Sequence, residues 1–357
     1  MRFSYILFLF ISISTLAQTP LYEYVNMEYT SDIPTNLNNS RSAVIINMPN
    51  KKGEFTELGD WKALASAAYS GFVKMKLDAI FCVNQVDLQS STSSYETFVE
   101  TFNKRRIKNL IFVTQNKNGF EIIVTAFKGT SSLLSNNQTA YRVSSEKLKD
   151  ALLSLGREIR RAELEQGNFL IPDKPSFLSG KSIIEKTQLK NYPGQLRRSV
   201  LAVERFSKMP DSDGNEEVSN KISAYNAAID LKNQELDSIM KSYPYKYVMV
   251  DPMSDEELLR NRHQFILRSI TGSTSGVRKM LEFDVVPSET DFVSMIPIMP
   301  DRTTIKTIPR NAIVTKFYVK QNISKNVHVG EWDADDTWQA ALKNMIGNLS
   351  QRLVIKK

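Results

Sequence analysis

The sequence predicts an α/β protein made of two tandem copies of a β-α-β-α-β-β-α module, joined by a helical connector. Three features of the sequence predict this fold. The first half carries short continuous apolar runs, which are typical of strands covered on both faces. Amphipathic stretches with apolar residues at helical spacing separate these runs. Segments of the first half also recur, in the same order, in the second half.

The internal repeat rests on three short matches between the two halves. The offset between matched segments grows by one residue each time, from 204 to 206, as small insertions in one copy would produce. The matched segments are residues 44–47 with 248–251, 70–75 with 275–280, and 112–116 with 318–322. Two copies of one module are the simplest explanation of three matches in one order.

Apolar runs predict three strands in the first copy, at residues 43–46, 79–83 and 110–113. Between the first two strands, apolar residues recur at helical spacing from Trp61 to Met75, and Asp60 is placed to cap the start of this helix. Between the second and third strands, Ser93 and Glu96 have the spacing of a capping box, which predicts a second helix.

A hairpin and a last helix complete the first copy. The segment from Asn116 to Gly119 is a turn signal between two apolar runs, which predicts a pair of antiparallel strands. Residues 128–143 are expected to form a loop. A helix with apolar residues from Leu148 to Ile159 follows, and Ser144 or Ser145 is expected to cap it.

The second copy begins with the same order of elements. Residues 247–250 predict its first strand. Ser254 and Glu257 form a capping box before a helix that is expected to extend to Ile270. His263 would lie on the apolar face of that helix, where a partly buried histidine with a hydrogen-bond partner is expected.

The middle of the second copy departs from the pattern. Extended or irregular structure is expected there, because proline interrupts helices. The prolines concerned are Pro287, Pro297, Pro300 and Pro309. A hairpin at residues 316–320 and 326–329 and a closing helix at 338–349 then complete the copy.

Residues 166–242 belong to neither copy and are expected to form the helical connector. A helix can start after Pro193 and must end before Pro210, because proline fits the first turn of a helix but not its interior. Apolar residues from Val218 to Ile239 then predict a long amphipathic helix. We expect a helical hairpin that braces the two modules or, alternatively, a helix that binds a partner or a second copy.

The N-terminus has the pattern of a secretory signal peptide, with Arg2, a short apolar stretch and small residues that end at Ala17. The chain is therefore expected to be exported, to the periplasm or, alternatively, out of the cell. No later segment is long and apolar enough to span a membrane. The expected organisation is a signal peptide at 1–17, a first module at 18–165, the connector at 166–242 and a second module at 243–357.

Composition excludes several classes of protein. The chain has 357 residues, with 46 Lys and Arg against 39 Asp and Glu, two His and one Cys. One cysteine excludes an intramolecular disulfide, an iron–sulfur cluster and a Cys-rich zinc site. Cys82 lies in an apolar run and is interpreted as a core residue. In an exported protein, the excess of basic over acidic residues favours acidic partners or anionic surfaces over nucleic acid.

The densest set of potential metal ligands lies near the C-terminus and consists of His328, Glu331, Asp333 and Asp335. Oxygen ligands at alternate positions suit Ca²⁺, and an imidazole suits a transition metal. The same carboxylates directly precede the closing helix, where they could instead cap its free N–H groups. No residue is singled out as catalytic, and no cofactor is expected.

The order of strand, helix, strand, helix and hairpin at residues 43–127 resembles the small α/β modules of exported bacterial envelope proteins. These modules include the N-terminal domain of TolB and the related curli-secretion and penicillin-binding-protein-activator domains. The resemblance is one of topology and includes no signature motif. It implies a module for protein interaction in the periplasm rather than an enzyme.

These features together predict an exported, non-enzymatic scaffold or adaptor that binds envelope or secreted proteins. One alternative is an envelope hydrolase with a carboxylate site between the two modules. Another is a protein that binds an ion or a small ligand through the acidic residues near His328. A polar cleft with two nearby acids would favour the hydrolase.

Overall fold

The computed structural model describes residues 20–129, 132–180, 182–184, 186–210, 215–298 and 301–353. The expected signal peptide at residues 1–17 lies outside these ranges and stays a prediction. Within them, the chain forms two six-stranded sheets with helices packed on their faces, together with two small hairpins. No helix in these ranges combines the length and the apolar character needed to cross a bilayer.

The first module contains one of these sheets. Its elements are β1 (Met27–Thr30), β2 (Arg41–Asn47), β3 (Lys51–Lys52), β4 (Thr56–Glu57), α1 (Trp61–Lys74), β5 (Asp78–Asn84), α2 (Gln85–Leu88), α3 (Thr92–Lys104), β6 (Ile107–Asn116), β7 (Gly119–Ala126), β8 (Gln138–Ser145) and α4 (Leu148–Arg161). The sheet has the order β1-β8-β7-β6-β2-β5. β2 pairs in parallel with both β5 and β6, and β6, β7 and β8 pair antiparallel.

Both faces of this sheet are covered by helices. Successive side chains of a strand point to opposite faces, so β2 contributes to two apolar clusters. Val44 packs in the same cluster as Phe72 of α1. Ile45 packs in the cluster that contains Phe102 of α3. The continuous apolar run of β2 therefore reflects burial on both sides, as expected.

The second module contains the other sheet. Its elements are β9 (Gln188–Leu189), β10 (Leu201–Glu204), α5 (Glu216–Met240), β11 (Tyr247–Val250), α6 (Asp255–Arg260), β12 (Phe265–Ser273), α7 (Thr274–Met280), β13 (Asp291–Ile298), β14 (Arg302–Pro309), β15 (Ile313–Gln321), β16 (Asn326–His328) and α8 (Trp338–Leu353). The sheet has the order β11-β10-β12-β15-β16-β9.

The two sheets have the same pattern of strand pairing. Counted from β5 and from β11, successive pairs in each sheet are parallel, parallel, antiparallel, antiparallel and parallel. Equivalent strands also follow one another in the same order along the chain. The expected α/β fold with two similar sheets is confirmed.

The three sequence matches, however, do not align equivalent elements. They relate β2 to β11, α1 to α7 and β6 to β15. By position in the sheets, β2 is equivalent to β10, β5 to β11 and β6 to β12. The matches are therefore wrong as an alignment, although the duplicated topology is present. Short apolar strands draw on few residue types, so strands at different positions have similar sequences.

The segment at residues 166–242 is not a purely helical connector. Its strands β9 and β10 belong to the second sheet, and β10 is the central strand of its parallel part. The helix expected after Pro193 is wrong, because only a single turn, Gly194–Arg197, precedes β10. The long helix is confirmed as α5, but the described residues of this segment contain no second long helix that would form a helical hairpin. The boundary expected at residue 243 therefore falls within the second module.

The helix expected to extend from Ser254 to Ile270 is too long. Its capping box is present, with Ser254 and Glu257 in the predicted roles, but the helix ends at Arg260. Arg262 has a left-handed backbone with φ of 64°, which stops the helix before β12. His263 therefore lies between α6 and β12 and not on a helical face.

Two helix caps in the first module differ from those expected. Ser91, not Ser93, caps α3, and its side chain accepts from the backbone N–H of Ser94. Ser144 and Ser145 lie in β8, and no side chain caps α4. The segment expected as a loop at 128–143 contains the beginning of β8, which extends the predicted hairpin to three strands.

An insertion distinguishes the second module from the first. β6 and β7 are joined by a tight turn, whereas their equivalents β12 and β15 are separated by α7 and the β13–β14 hairpin. The extended structure expected from the prolines is confirmed at Pro297 and Pro309, which lie in these two strands. A two-stranded hairpin tolerates proline because its edges leave N–H groups without a ladder partner.

Replacement of Gly119 tests the predicted hairpin turn. Gly119 has a φ of 125°, and a β-carbon there would lie 2.4 Å from Ser145 O. We expect Gly119→Ala to lower the free energy of unfolding by about 1–3 kcal/mol in urea denaturation. Gly194→Ala is the control, because nothing lies within 4 Å of a β-carbon built there. Equal losses in both variants would contradict this account.

Candidate functional site

The two modules contact each other through backbone hydrogen bonds. Leu58 N donates to Asn311 O at 2.9 Å, next to an antiparallel bridge between Glu57 and Ala312. Thr271 N donates to Ser90 O at 2.8 Å. The segments around β4 and α2 therefore lie against the second module.

A cavity of about 480 Å³ lies at this junction, between the β3–β4 hairpin and the β13–β14 hairpin. Charged side chains from both modules line it: Lys51, Lys52, Glu54, Glu57 and Asp291. Phe55 also lines it and packs against an apolar cluster of the second module. The junction therefore gathers carboxylates of both modules around one cavity.

The β13–β14 hairpin presents an apolar surface beside this cavity. Residues alternate between the two sides of a hairpin, and Met295 pairs with Ile305 while Val293 pairs with Thr307. Val293 and Ile305 are 50% and 63% exposed, and Met295 is half-buried. We call the outward side formed by Val293, Met295 and Ile305 the hairpin face. Asp291 and Thr307 lie on the same side and line the cavity.

The opposite side of the hairpin is fixed to the second module. Phe292, Ser294 and Ile308 are buried there. Ser294 Oγ donates to Ala334 O at 2.5 Å, and the Arg278 guanidinium lies 4.6 Å from the ring centre of Phe292. The hairpin face is therefore held on a rigid support and not on a free loop.

Asp87 in α2 is a buried carboxylate at the same junction. It is 6% exposed, and its Oδ1 has no hydrogen-bond partner among the described residues. A β-carbon built on Gly276 of α7 would lie 3.5 Å from this oxygen. Burial raises the pKa of Asp87 to about 6, and the charges of Lys62 and Lys279 oppose this rise. The contact between the modules therefore encloses a carboxyl group that titrates near pH 6.

His328 and Glu331 each contact another residue of the protein. His328 Nδ1 lies 2.7 Å from Asn191 O, and it must be the donor because a carbonyl oxygen only accepts. Burial lowers the pKa of His328, which favours the neutral ring. The Glu331 carboxylate pairs with Arg352 of α8.

Asp333 and Asp335 are each bound by a lysine and an asparagine. Asp333 and Lys316 of β15 are both 0% exposed, and Lys316 Nζ lies 2.6 Å from Asp333 Oδ1. Asn348 of α8 donates to the other oxygen at 2.8 Å. Asp335 accepts from Lys306 at 2.5 Å and from Asn344 at 3.0 Å; these contacts join β14 and α8.

The four predicted ligands therefore act as anchors between elements. In the described ranges, no group of three or more His, Cys, Asp or Glu side chains lies close enough to hold a metal ion. The alternative role in capping is filled by another residue, because Thr337 Oγ1 accepts from Ala340 N in the first turn of α8. The metal site itself stays a prediction.

Cys82 is fully buried, as expected for a core residue. Burial raises the pKa of its thiol to about 12, so the thiolate is scarce at neutral pH.

No protein-family model matches the chain, and no curated protein matches it.

Sequence reasoning missed Asp87 and the hairpin face. Asp87 lies three residues after the end of the apolar strand β5, but its burial depends on a contact with the second module. The segment from Asp291 to Ile296 holds four apolar residues, which favour a strand, but they do not alternate with polar residues, so this signal was weak. The neighbouring prolines obscured it.

The raised pKa of Asp87 predicts a pH-dependent stability. The unfolded carboxyl group loses its proton near its ordinary pKa of 3.8, and the folded one near 6. The folded state therefore binds more protons between these values, and stability falls as pH rises from about 4 to 6. We expect Asp87→Asn to remove this loss and to stabilise the chain at pH 7 by up to about 3 kcal/mol.

Urea unfolding of both proteins at pH 4 and pH 7 measures this effect. Asp60→Asn is the control, because Asp60 is exposed and caps α1. An advantage of Asp87→Asn that is the same at both pH values would contradict the titration of Asp87.

The Lys316–Asp333 pair predicts a strong asymmetry between single and double variants. Asp333→Leu or Lys316→Met alone leaves one charge buried without its partner, so we expect losses of about 3–5 kcal/mol in the free energy of unfolding. The double variant removes both charges and should recover most of this loss. Chemical denaturation of the three variants measures the coupling. Additive losses would contradict a direct buried pair.

Proposed function

We propose that this chain is an exported, non-enzymatic adaptor that binds an envelope or secreted protein through the hairpin face. The observation that carries the proposal is the β13–β14 hairpin, a separate two-stranded sheet inserted in the chain between β12 and β15 of the second module. The shared topology accounts for folding in both modules. The added hairpin is not needed for that topology, and it exposes apolar side chains.

The hairpin face has the composition of a protein interface. An apolar centre formed by Val293, Met295 and Ile305 is bordered by exposed Asp291 and Thr307. Interfaces commonly combine an apolar centre with a polar rim, and exposed apolar patches mark binding surfaces. The cavity next to this rim adds charged groups from the first module. A partner seated on the hairpin face would therefore also contact the junction.

Photo-crosslinking in intact cells tests this proposal. A photoreactive phenylalanine analogue replaces Ile305 or, as the control, Ile323, which is equally exposed at 64% against 63%. We expect one protein to be crosslinked from position 305 and not from position 323. Val293→Asp should reduce that crosslink, whereas it should change stability by no more than about 0.5 kcal/mol because Val293 is half-exposed.

Equal crosslinking from both positions would contradict a specific hairpin face. Hydrolysis of an envelope glycan or peptide by the purified chain, lost in Glu54→Gln and in Asp291→Asn, would instead favour the hydrolase. Both residues line the cavity between the modules.

A further inference from the structure

Strands β5 and β11 have the same place in their two sheets. Each lies at one edge and pairs in parallel with the strand next to it, β2 or β10. A strand at a sheet edge exposes a row of backbone N–H and C=O groups, which can pair with another extended segment. Among the described residues, this edge is covered in the first module and uncovered in the second.

In the first module, the chain itself covers the edge. Cys82 N of β5 donates to Ser176 O at 2.8 Å, and Leu178 N donates to Cys82 O at 2.8 Å. The covering segment runs parallel to β5. Its Phe177 ring packs against Trp61 with ring centres 5.5 Å apart. Six of the seven residues of β5 are buried.

In the second module, the corresponding edge is open. Leu201 N at the start of β10 donates to Lys246 O, and Arg205 N just after β10 donates to Val250 O. The backbone groups of the even-numbered residues of β11 therefore face β10. By alternation, the backbone groups of Tyr247 and Met249 point away from the sheet. Within the described ranges, no strand or bridge pairs with that side of β11.

The side chains of β11 are correspondingly exposed. One of its four residues is buried, and Val248 is 38% exposed, although the strand consists of Tyr, Val, Met and Val. A short strand of β-branched and aromatic residues with a free edge is suited to pair with an added strand.

We propose that β11 binds an extended segment of a partner protein, which joins the second sheet as a parallel strand. This proposal goes beyond the proposed function, because it names a second surface, separate from the hairpin face, and the kind of partner that would bind there. The segment needs a free backbone N–H and C=O opposite Met249 and an apolar or aromatic side chain beside them, as residues 176–178 provide at β5.

A second copy of this chain fits the edge less well. Two β11 strands related by a two-fold axis would pair antiparallel, because a two-fold axis perpendicular to the strands reverses their direction. The covering segment in the first module runs parallel to its strand. The occupied edge of this same fold therefore favours a separate extended segment.

The test uses the full chain and a fluorescein-labelled peptide with the sequence of residues 172–180, which contains the covering segment. Fluorescence anisotropy measures binding, and amide hydrogen exchange locates it. We expect saturable binding that slows exchange of the Met249 amide, whereas the Val248 amide is protected before and after because it faces β10.

Two variants at one position separate the backbone from the side chain. Met249→Pro removes the outward N–H and should weaken peptide binding by about tenfold, because the loss of roughly one hydrogen bond reduces affinity by this factor. Met249→Ala keeps the N–H and should weaken it by less than about threefold. Protection of the Val248 amide in both variants shows that β11 still pairs with β10.

Absence of saturable binding, or equal binding by Met249→Pro and Met249→Ala, would overturn the proposal. A dimer that forms at increasing chain concentration and is lost in Met249→Pro would assign the edge to a second copy. Binding that requires deletion of residues 354–357 would assign it to the C-terminus of the chain. A crosslink from position 305 that persists when the peptide fails to bind would leave the proposed function intact.

Discussion

The parallel pairing of a central strand with both of its neighbours is the constraint on which each module depends. β2 pairs in parallel with β5 and β6, and β10 does so with β11 and β12. Parallel neighbours need a crossover connection, which here is helical, and these helices cover the sheet. The antiparallel strands that follow extend each sheet without a crossover. The order of elements in both modules follows from this one requirement.

The second module differs from the first in two features: the added β13–β14 hairpin and the sheet edge at β11, which is uncovered among the described residues. The added hairpin is fixed by polar contacts that are buried or partly buried: Lys306 of β14 binds Asp335, and Asn348 of α8 donates to both Asp333 and Met295 O. Buried charges cost desolvation energy unless they are paired, so this network specifies one position for the hairpin. The edge left open at β11 has an occupied equivalent at β5. Both differences concern surfaces and leave the topology unchanged.

The junction between the modules contains a buried carboxyl group, that of Asp87. Asp87 is held in a buried contact without a partner for its Oδ1, and burial raises its pKa to about 6. Gly276 of α7 lies next to this oxygen, because a β-carbon built on Gly276 would be 3.5 Å from it. The contact between the modules therefore encloses a carboxyl group whose pKa is raised by burial. The hairpin face and the cavity lie on the same junction, so a bound partner would contact both modules.

Local signals in the sequence determined the longer helices and three of the buried strands. Asp60 caps α1, Ser254 and Glu257 form a capping box, and continuous apolar runs form β2, β5 and β6, because these patterns depend on neighbouring residues alone. Tertiary structure decided the rest. Leu201–Glu204 is a strand and not a helix because β11 and β12 pair with it. Asp333 pairs with Lys316 because two distant segments meet there. Pairing between distant residues leaves no local pattern, so only the folded chain specifies it.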